Sequence, residues 1–167
     1  YRWFICVQVL GVTMDWKHRI GEYHKEMIKN YVFTSNAVNC VQPGVYNDNE
    51  VLIIGQTPGL FDDGTINTVI SDLGLQRDKL CFTNVYKTSF KDNQIDVVDK
   101  TLYYKILKEQ LAIITPKIII CIGAEAAEAL SKVRTYNTYY VIYIQQYSYI
   151  LRLGTYKETM KQARKRI

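Results

Sequence analysis

Short apolar runs punctuated by glycine alternate along this chain with longer stretches of helical periodicity. Val51-Leu52-Ile53-Ile54 is unbroken and stops at Gly55; Gln56-Thr57 and then Pro58-Gly59 follow. A run this short and rich in β-branched residues predicts a strand buried on both faces. Gly55 lets the chain turn with no Cβ in the way, and Pro58-Gly59 fixes the turn. Gln56 and Thr57 are thereby expected at the C-terminal mouth of a central strand, where open α/β sheets bind ligands. The same nine residues also read as a plain exit from strand to loop. Leu80-Cys81-Phe82-Thr83-Asn84-Val85 predicts a second strand with Asn84 near its end, Lys117 to Gly123 a third, and Tyr139 to Ile144 a fourth.

Helices fall between these runs. Trp16, Ile20, Tyr23, Met27 and Tyr31 recur at spacings of three and four, the mark of an amphipathic helix. His18 and His24 lie on it six apart, a spacing that does not suit a helical metal pair, and both are expected at the surface. Phe33 to Glu50 is polar and predicts a loop. Ile66, Val69, Ile70 and Leu73 share one helical face, ended by Gly74. Lys87 to Asp96 reads as a loop. From Val97 to Ile114, the positions Leu102, Ile106, Leu107, Gln110 and Leu111 trace another stripe, stopped by Thr115-Pro116. Ala124 to Leu130 is helical by propensity. Ser148 to Leu153 and the basic tail form a last turn or helix. The alternation of strand and helix predicts a three-layer α/β/α domain around a four-stranded, mostly parallel sheet. One domain is expected over residues 1–167, with an N-terminal helical segment (1–37) and an α/β core (38–167).

Composition narrows the class. A chain of 167 residues suits one domain with a full core. No apolar run has the length needed to span a bilayer, and no signal-peptide pattern is present. Cys6, Cys40, Cys81 and Cys121 are scattered, which argues against a disulfide framework or a zinc site and for a reducing, intracellular setting. Cys81 and Cys121 lie inside apolar runs and are expected as buried thiols. The formal charge of +5 is concentrated at the end, where Lys157, Lys161, Arg164, Lys165 and Arg166 stand against Glu158 alone. Such a tail is commonly a solvated helix end; it can also neutralise phosphates.

Four motifs in order resemble the uracil-DNA glycosylase superfamily. Val51 to Gly59 is similar to its first motif: a hydrophobic strand, Gly, two variable residues, Pro, and a Gly or aromatic. Leu80 to Lys87 resembles the strand ending in Asn-Val-x-Lys. Pro116 to Ala126 resembles the Pro, hydrophobic run, Gly-x-x-Ala segment. Gln145-Gln146-Tyr147-Ser148-Tyr149-Ile150-Leu151-Arg152 aligns with the last motif, His-Pro-Ser followed by hydrophobics and Arg. The match covers roughly residues 38 to 163 and is closest to the thermophile-type branch.

The resemblance implies a DNA glycosylase that flips a pyrimidine, uracil or a 5-substituted one, out of the stack and hydrolyses its N-glycosidic bond, leaving an abasic site. DNA is then the partner, with no membrane, and the protein acts as a monomer. It implies base-binding roles for Gly55, Gly59, Phe61 and Asn84. The Asn84 amide offers both a donor and an acceptor to a pyrimidine edge, and Phe61 would stack on the base. It implies DNA contacts from Lys87, Ser148, Tyr149 and Arg152, with Tyr149-Ile150-Leu151 as the wedge that fills the emptied stack. Catalytic positions correspond to Gln56, Thr57, Asp62, Asp63 and Gln146.

The departures weaken the chemistry. Gln56 stands where the nearest branch has Glu, and Thr57 where the best-known branch has its water-activating Asp. Neither is a competent base near neutral pH; Asp62 or Asp63 is available as a substitute. Gln146 stands where relatives carry His, and it cannot become cationic. Losing such a donor or its charge costs roughly 3 to 4 kcal/mol of transition-state stabilisation. The iron–sulfur cysteines of the nearest branch are missing, since Thr88 follows Lys87 and no N-terminal C-x-x-C occurs. No cluster, metal or other cofactor is therefore expected. Asn84 also reads as a loop cap, Phe61 as core, Ser148 and Arg152 as helix anchors, and Lys87 as a solvated lysine. The alternatives to an enzyme are a DNA-binding or scaffold domain that kept the fold without the chemistry, and a nucleotide-binding α/β protein with no DNA role.

Overall fold

The apolar run at Val51 does form the centre of a sheet. The computed structural model describes residues 15–30, 44–57, 64–88, 100–133 and 138–167, with Gly64, Thr65, Tyr147 and Ser148 described in backbone only. Five strands are present: β1 (Val45–Tyr46), β2 (Val51–Gly55), β3 (Cys81–Asn84), β4 (Ile118–Ile122) and β5 (Tyr140–Ile144), in the order β1-β3-β2-β4-β5. β2 pairs in parallel with β3 on one side and β4 on the other, and β4 pairs in parallel with β5. Every residue of β2 is buried, which explains why its sequence shows no alternation.

The helices are α1 (Trp16–Asn30), α2 (Gly64–Asp72), α3 (Lys100–Ile114), α4 (Ala124–Lys132), α5 (Tyr147–Arg152) and α6 (Tyr156–Arg164). The chain steps from β2 outward to β3 through α2. It then crosses back over β2 to β4 through α3, and continues to β5 through α4. Right-handed crossovers in opposite directions put helices on opposite faces. Two buried clusters follow. Leu52, Ile54, Cys81, Ile119 and Cys121 pack with residues of α1, α3 and α4. Val51, Ile53, Phe82, Ile120 and Ile142 pack with residues of α2, α5 and α6. Successive strand residues thus serve alternate layers, as the pleat requires.

Punctuation works as the sequence indicates at two places. After α2, Gly74 takes φ 74°, and Leu75 N–H closes onto the Ile70 carbonyl at 3.0 Å. At the end of α3, Thr115 takes φ 48°, a left-handed conformation that stops the helix before Pro116.

Several expectations need correction. The sheet has five strands, not four: Val45 and Tyr46, inside the stretch read as a loop, pair antiparallel with Phe82 and Cys81. Two residues are too few to show a period, so only the free edge of β3 defines this strand. Gly55 is not the turn itself; it is the last residue of β2, in register with Asn84. The chain after Ile144 forms two helices, split at Gly154 with φ 68°. Tyr31, Cys6, Cys40 and residues 89–99 lie outside the described residues. Cys81 and Cys121 are free and buried, and burial pushes both thiols up to about 12. Among the described residues no helix is long and apolar enough to cross a membrane.

Candidate functional site

The parallel strands all point one way, so their C-terminal ends share one edge. Pairing of β2 with β3 extends past both strands: Val85 N–H donates to the Gly55 carbonyl at 2.9 Å and Tyr86 N–H to the Gln56 carbonyl at 3.0 Å. On the other side, Gly123 N–H donates to the Ile144 carbonyl at 2.8 Å, and Gly123, at φ 89°, opens α4. Gln146 follows β5 and precedes α5. Along this edge the order is therefore Asn84, Gln56, Gly123, Gln146. Adjacent strands are about 4.8 Å apart, so Asn84 and the β5 exit are separated by roughly 14 Å. The connections leave in opposite directions at β2 and β4, which puts the topological switch point between these two strands, one strand from Asn84.

Asn84 is 1% exposed, and its Oδ1 has no hydrogen-bond partner. A buried acceptor left unpaired costs about 1–3 kcal/mol. Gln56 and Thr57 are half-buried and follow Gly55, the register partner of Asn84. Gly59, Phe61, Asp62 and Asp63 lie outside the described residues. Gln146 is exposed and makes no side-chain cap to α5. Tyr149 and Leu151 are exposed, and the Arg152 guanidinium sits 5.7 Å from the centre of the Tyr149 ring. Ile150 is fully buried in the core, so the expected wedge reduces to Tyr149 and Leu151. A helix in contact with a sheet must turn one residue of such a run inward. The Ser148 side chain lies outside the described residues.

Lys87 departs from both readings given to it. It is neither a solvated lysine nor placed to meet a phosphate at the surface: it is fully buried. Its Nζ donates to Thr83 Oγ1 at 2.8 Å and to the Asn84 carbonyl. Burial holds its pKa well below the ordinary lysine value. Thr83 Oγ1 donates in turn to Gln110 Oε1 at 3.2 Å, and Gln110 Nε2 donates to the Tyr46 hydroxyl at 3.0 Å and lies 3.0 Å from His24 Nε2. His24 is buried, contrary to the surface position expected; its spacing from Ile20 and Met27 puts all three on the inner face of α1. Burial, and then the charge of Lys87, pull its pKa from 6.5 to about 4. The neutral ring accepts from the Gln110 amide through Nε2. His18 is exposed, as expected.

This network was only half visible in sequence. Gln110 sits in the apolar stripe of α3, and a lone amide in such a stripe is the signal of a buried polar contact. Nothing local pairs it with Thr83 or His24, which lie 27 and 86 residues away. A second cluster also escaped notice. The Tyr86 hydroxyl donates to Glu125 Oε2 at 2.8 Å, and Lys100 Nζ approaches the same oxygen at 3.4 Å. These ties hold the start of α4 to the chain just beyond Asn84. Among the described residues no group of three His, Cys, Asp or Glu side chains is arranged to hold a metal ion.

The basic tail lies elsewhere. The Tyr156 hydroxyl bonds the carboxylate of Asp72, at the far end of α2, and the Arg164 guanidinium packs beside Gly74. α2 runs from the strand mouth toward the opposite edge, so α6 borders that opposite edge. The groove there, about 560 Å³, is lined by Asp72, Tyr156, Met160 and the exposed Lys157, Lys161, Arg164 and Lys165. It is open and remote from Asn84.

The domain is thus a doubly wound α/β sheet with a buried amide and polar loop residues at the C-terminal edge of its strands, the edge at which such sheets take ligands. The family model of the uracil DNA glycosylase superfamily matches residues 43–166. The chain belongs to that superfamily, and a glycosylase-type function on DNA goes with it.

Proposed function

We propose that this protein is a DNA glycosylase that takes a pyrimidine out of the stack and hydrolyses its N-glycosidic bond. The observation that carries this reading is Asn84 Oδ1: an acceptor that is buried, unpartnered and held at the C-terminal end of β3, one strand from the switch point. Buried polar groups are almost always satisfied, and a ligand is the economical partner for one that is not. Oδ1 would accept the imide N–H of the base while Nδ2 donates to a ring carbonyl. As the C1′–N bond breaks, its electron pair passes to the base, and water supplies hydroxide to C1′ and a proton to the leaving ring. Gln146, across the mouth, is available to donate to the anionic base. Gln56 and Thr57 would orient water but not deprotonate it, which leaves Asp62 or Asp63 as the base.

Gly59 points to the substrate. Strictly uracil-specific relatives carry an aromatic there as a wall against a 5-substituent, and glycine has no side chain to form one. The pocket would therefore accept a 5-substituted or otherwise enlarged pyrimidine. Incubation with oligonucleotides holding uracil, 5-hydroxymethyl or glycosylated pyrimidines, followed by alkaline strand scission, tests this directly. Cleavage at uracil alone removes the enlarged-pyrimidine part. Asn84→Ala should lower excision about 10²-fold or more with DNA affinity kept within a few-fold.

The amides at Gln56 and Gln146 favour a second reading, a DNA-binding domain that has lost turnover. Asp62→Asn and Asp63→Asn separate the two. An enzyme loses turnover and keeps its grip on DNA; a binder has no turnover to lose, although both weaken with salt.

A further inference from the structure

Lys87 holds its amino group in the fully buried interior, and among the described residues no carboxylate is bonded to it. Such a group is expensive to keep, because taking a polar group out of water is unfavourable unless hydrogen bonds compensate. The cheaper solution, a methionine or leucine of similar volume, would fill the same space. What the amino group provides that an apolar side chain cannot is two directed hydrogen bonds. One goes to the Thr83 hydroxyl and the other to the main-chain carbonyl of Asn84.

The position of those acceptors defines the role. Thr83 and Asn84 are the last two residues of β3. Thr83 faces α3, where its hydroxyl meets Gln110; pleat alternation puts the Asn84 side chain on the other side of the sheet. Lys87 thus grips the backbone of Asn84 from one side and leaves the amide free on the other. From Gln110 the chain of bonds continues to His24 on α1 and Tyr46 on β1. The Asn84 backbone is also tied through β2, since Gly55 is its register partner and Val85 bonds the Gly55 carbonyl. A short strand end at the lip of a cleft would otherwise fray.

We infer that Lys87 is a positioning residue for base recognition: its buried amino group, clamped between Thr83 Oγ1 and the Asn84 carbonyl, sets the direction of the Asn84 amide, with Gln110, His24 and Tyr46 bracing the clamp from behind. The inference rests on the reading of Asn84 as the base-reading residue. Its physical half, the orientation of the amide, can be tested without that reading.

The test compares Lys87→Met, Thr83→Val and, as a control, Ile114→Val, a mild change in the same core layer away from the clamp. The first readout is the Asn84 side-chain amide signal pair in a ¹⁵N–¹H spectrum, assigned by its loss in Asn84→Ala. It should be single and sharp in the parent, broadened or doubled in Lys87→Met, less so in Thr83→Val, and unmoved in Ile114→Val. The second is excision on the best substrate of the panel. In Lys87→Met kcat should fall at least ten-fold with KM for DNA within two-fold, and discrimination between the preferred pyrimidine and cytosine should narrow. If Lys87→Met does not fold, Thr83→Val carries the test alone, because it removes one acceptor and leaves the Lys87 amino group in place. An Asn84 signal indistinguishable from that of the control, in whichever of the two variants folds, overturns the inference. A displaced signal in a protein that cleaves none of the panel supports the clamp and counts against the glycosylase reading instead.

Discussion

The two faces of the sheet are built differently. Toward α2, α5 and α6 the core is a layer of apolar side chains, with Val51, Ile53, Ile66, Val69, Phe82, Ile120 and Ile142 meeting there, and among the described residues the buried polar side chain on this face is Asn84, at the strand end. Toward α1, α3 and α4 the apolar core is comparable in extent, yet His24, Thr83, Lys87, Thr88 and Gln110 are buried within or beside it. Apolar packing is non-directional and tolerates small shifts. Hydrogen bonds between buried groups fix a geometry, at a desolvation cost. The polar threads run to the end of β3, where Asn84 sits. Both layers hold the sheet through apolar packing, and one of them also aims part of it.

The contrast can be broken most severely on the dry side. Phe82→Ala should lower stability by about 3–5 kcal/mol, because the vacated space lies between β1, β2 and α2 and cannot collapse. Denaturant midpoints at constant slope would show it; a loss under about 1 kcal/mol would mean that this layer is loosely packed.

On the polar side the effect should depend on pH. The folded pKa of His24 is depressed to about 4 from 6.5, so the unfolded chain binds its proton more readily. The stability linked to this ring is present above about pH 6.5 and is lost as the pH falls toward 4. The full loss is on the order of 3 kcal/mol. Unfolding curves between pH 7 and 4 should show this slope, and His24→Gln should flatten it. A parent and variant with parallel profiles would show that the ring titrates freely.

Asn84 sharpens the comparison in the opposite direction. Replacing the unpartnered amide with leucine removes a buried acceptor at little change in volume, so Asn84→Leu should raise stability by about 1 kcal/mol while base release is lost. Lower stability in Asn84→Leu would show that the amide is satisfied in solution. The smallest effect belongs to neither face. Lys117→Ala breaks an ion pair with Glu50 whose side chains are 74% and 61% exposed, and thermal unfolding should not shift measurably.

The legibility of the sequence followed the same division. Val51-Leu52-Ile53-Ile54 and Ile118-Ile119-Ile120 announce buried strands because burial on both faces demands apolar residues at every position. Gly74 and Thr115-Pro116 end their helices through local backbone preferences. The superfamily is legible as well, since its motifs lie at strand ends that local pattern locates. β1 was not legible, because Val45 and Tyr46 become a strand only by pairing with Phe82 and Cys81. Nor was the burial of Lys87: an Asn-Val-Tyr-Lys segment contains no sign of whether the lysine turns outward to phosphate or inward to its own strand.

By itself, then, the order of residues determined the layered α/β architecture, which rests on periodicity and chain-local sterics, and it singled out Asn84 through the superfamily motif in which that residue stands. The tertiary structure alone decided that Asn84 is sealed and unsatisfied, that Lys87 and His24 face inward, and that the basic tail borders the edge opposite the site. Those outcomes depend on groups far apart in the chain sharing one low-dielectric volume, and water is excluded from that volume only when both helical layers have closed on the sheet.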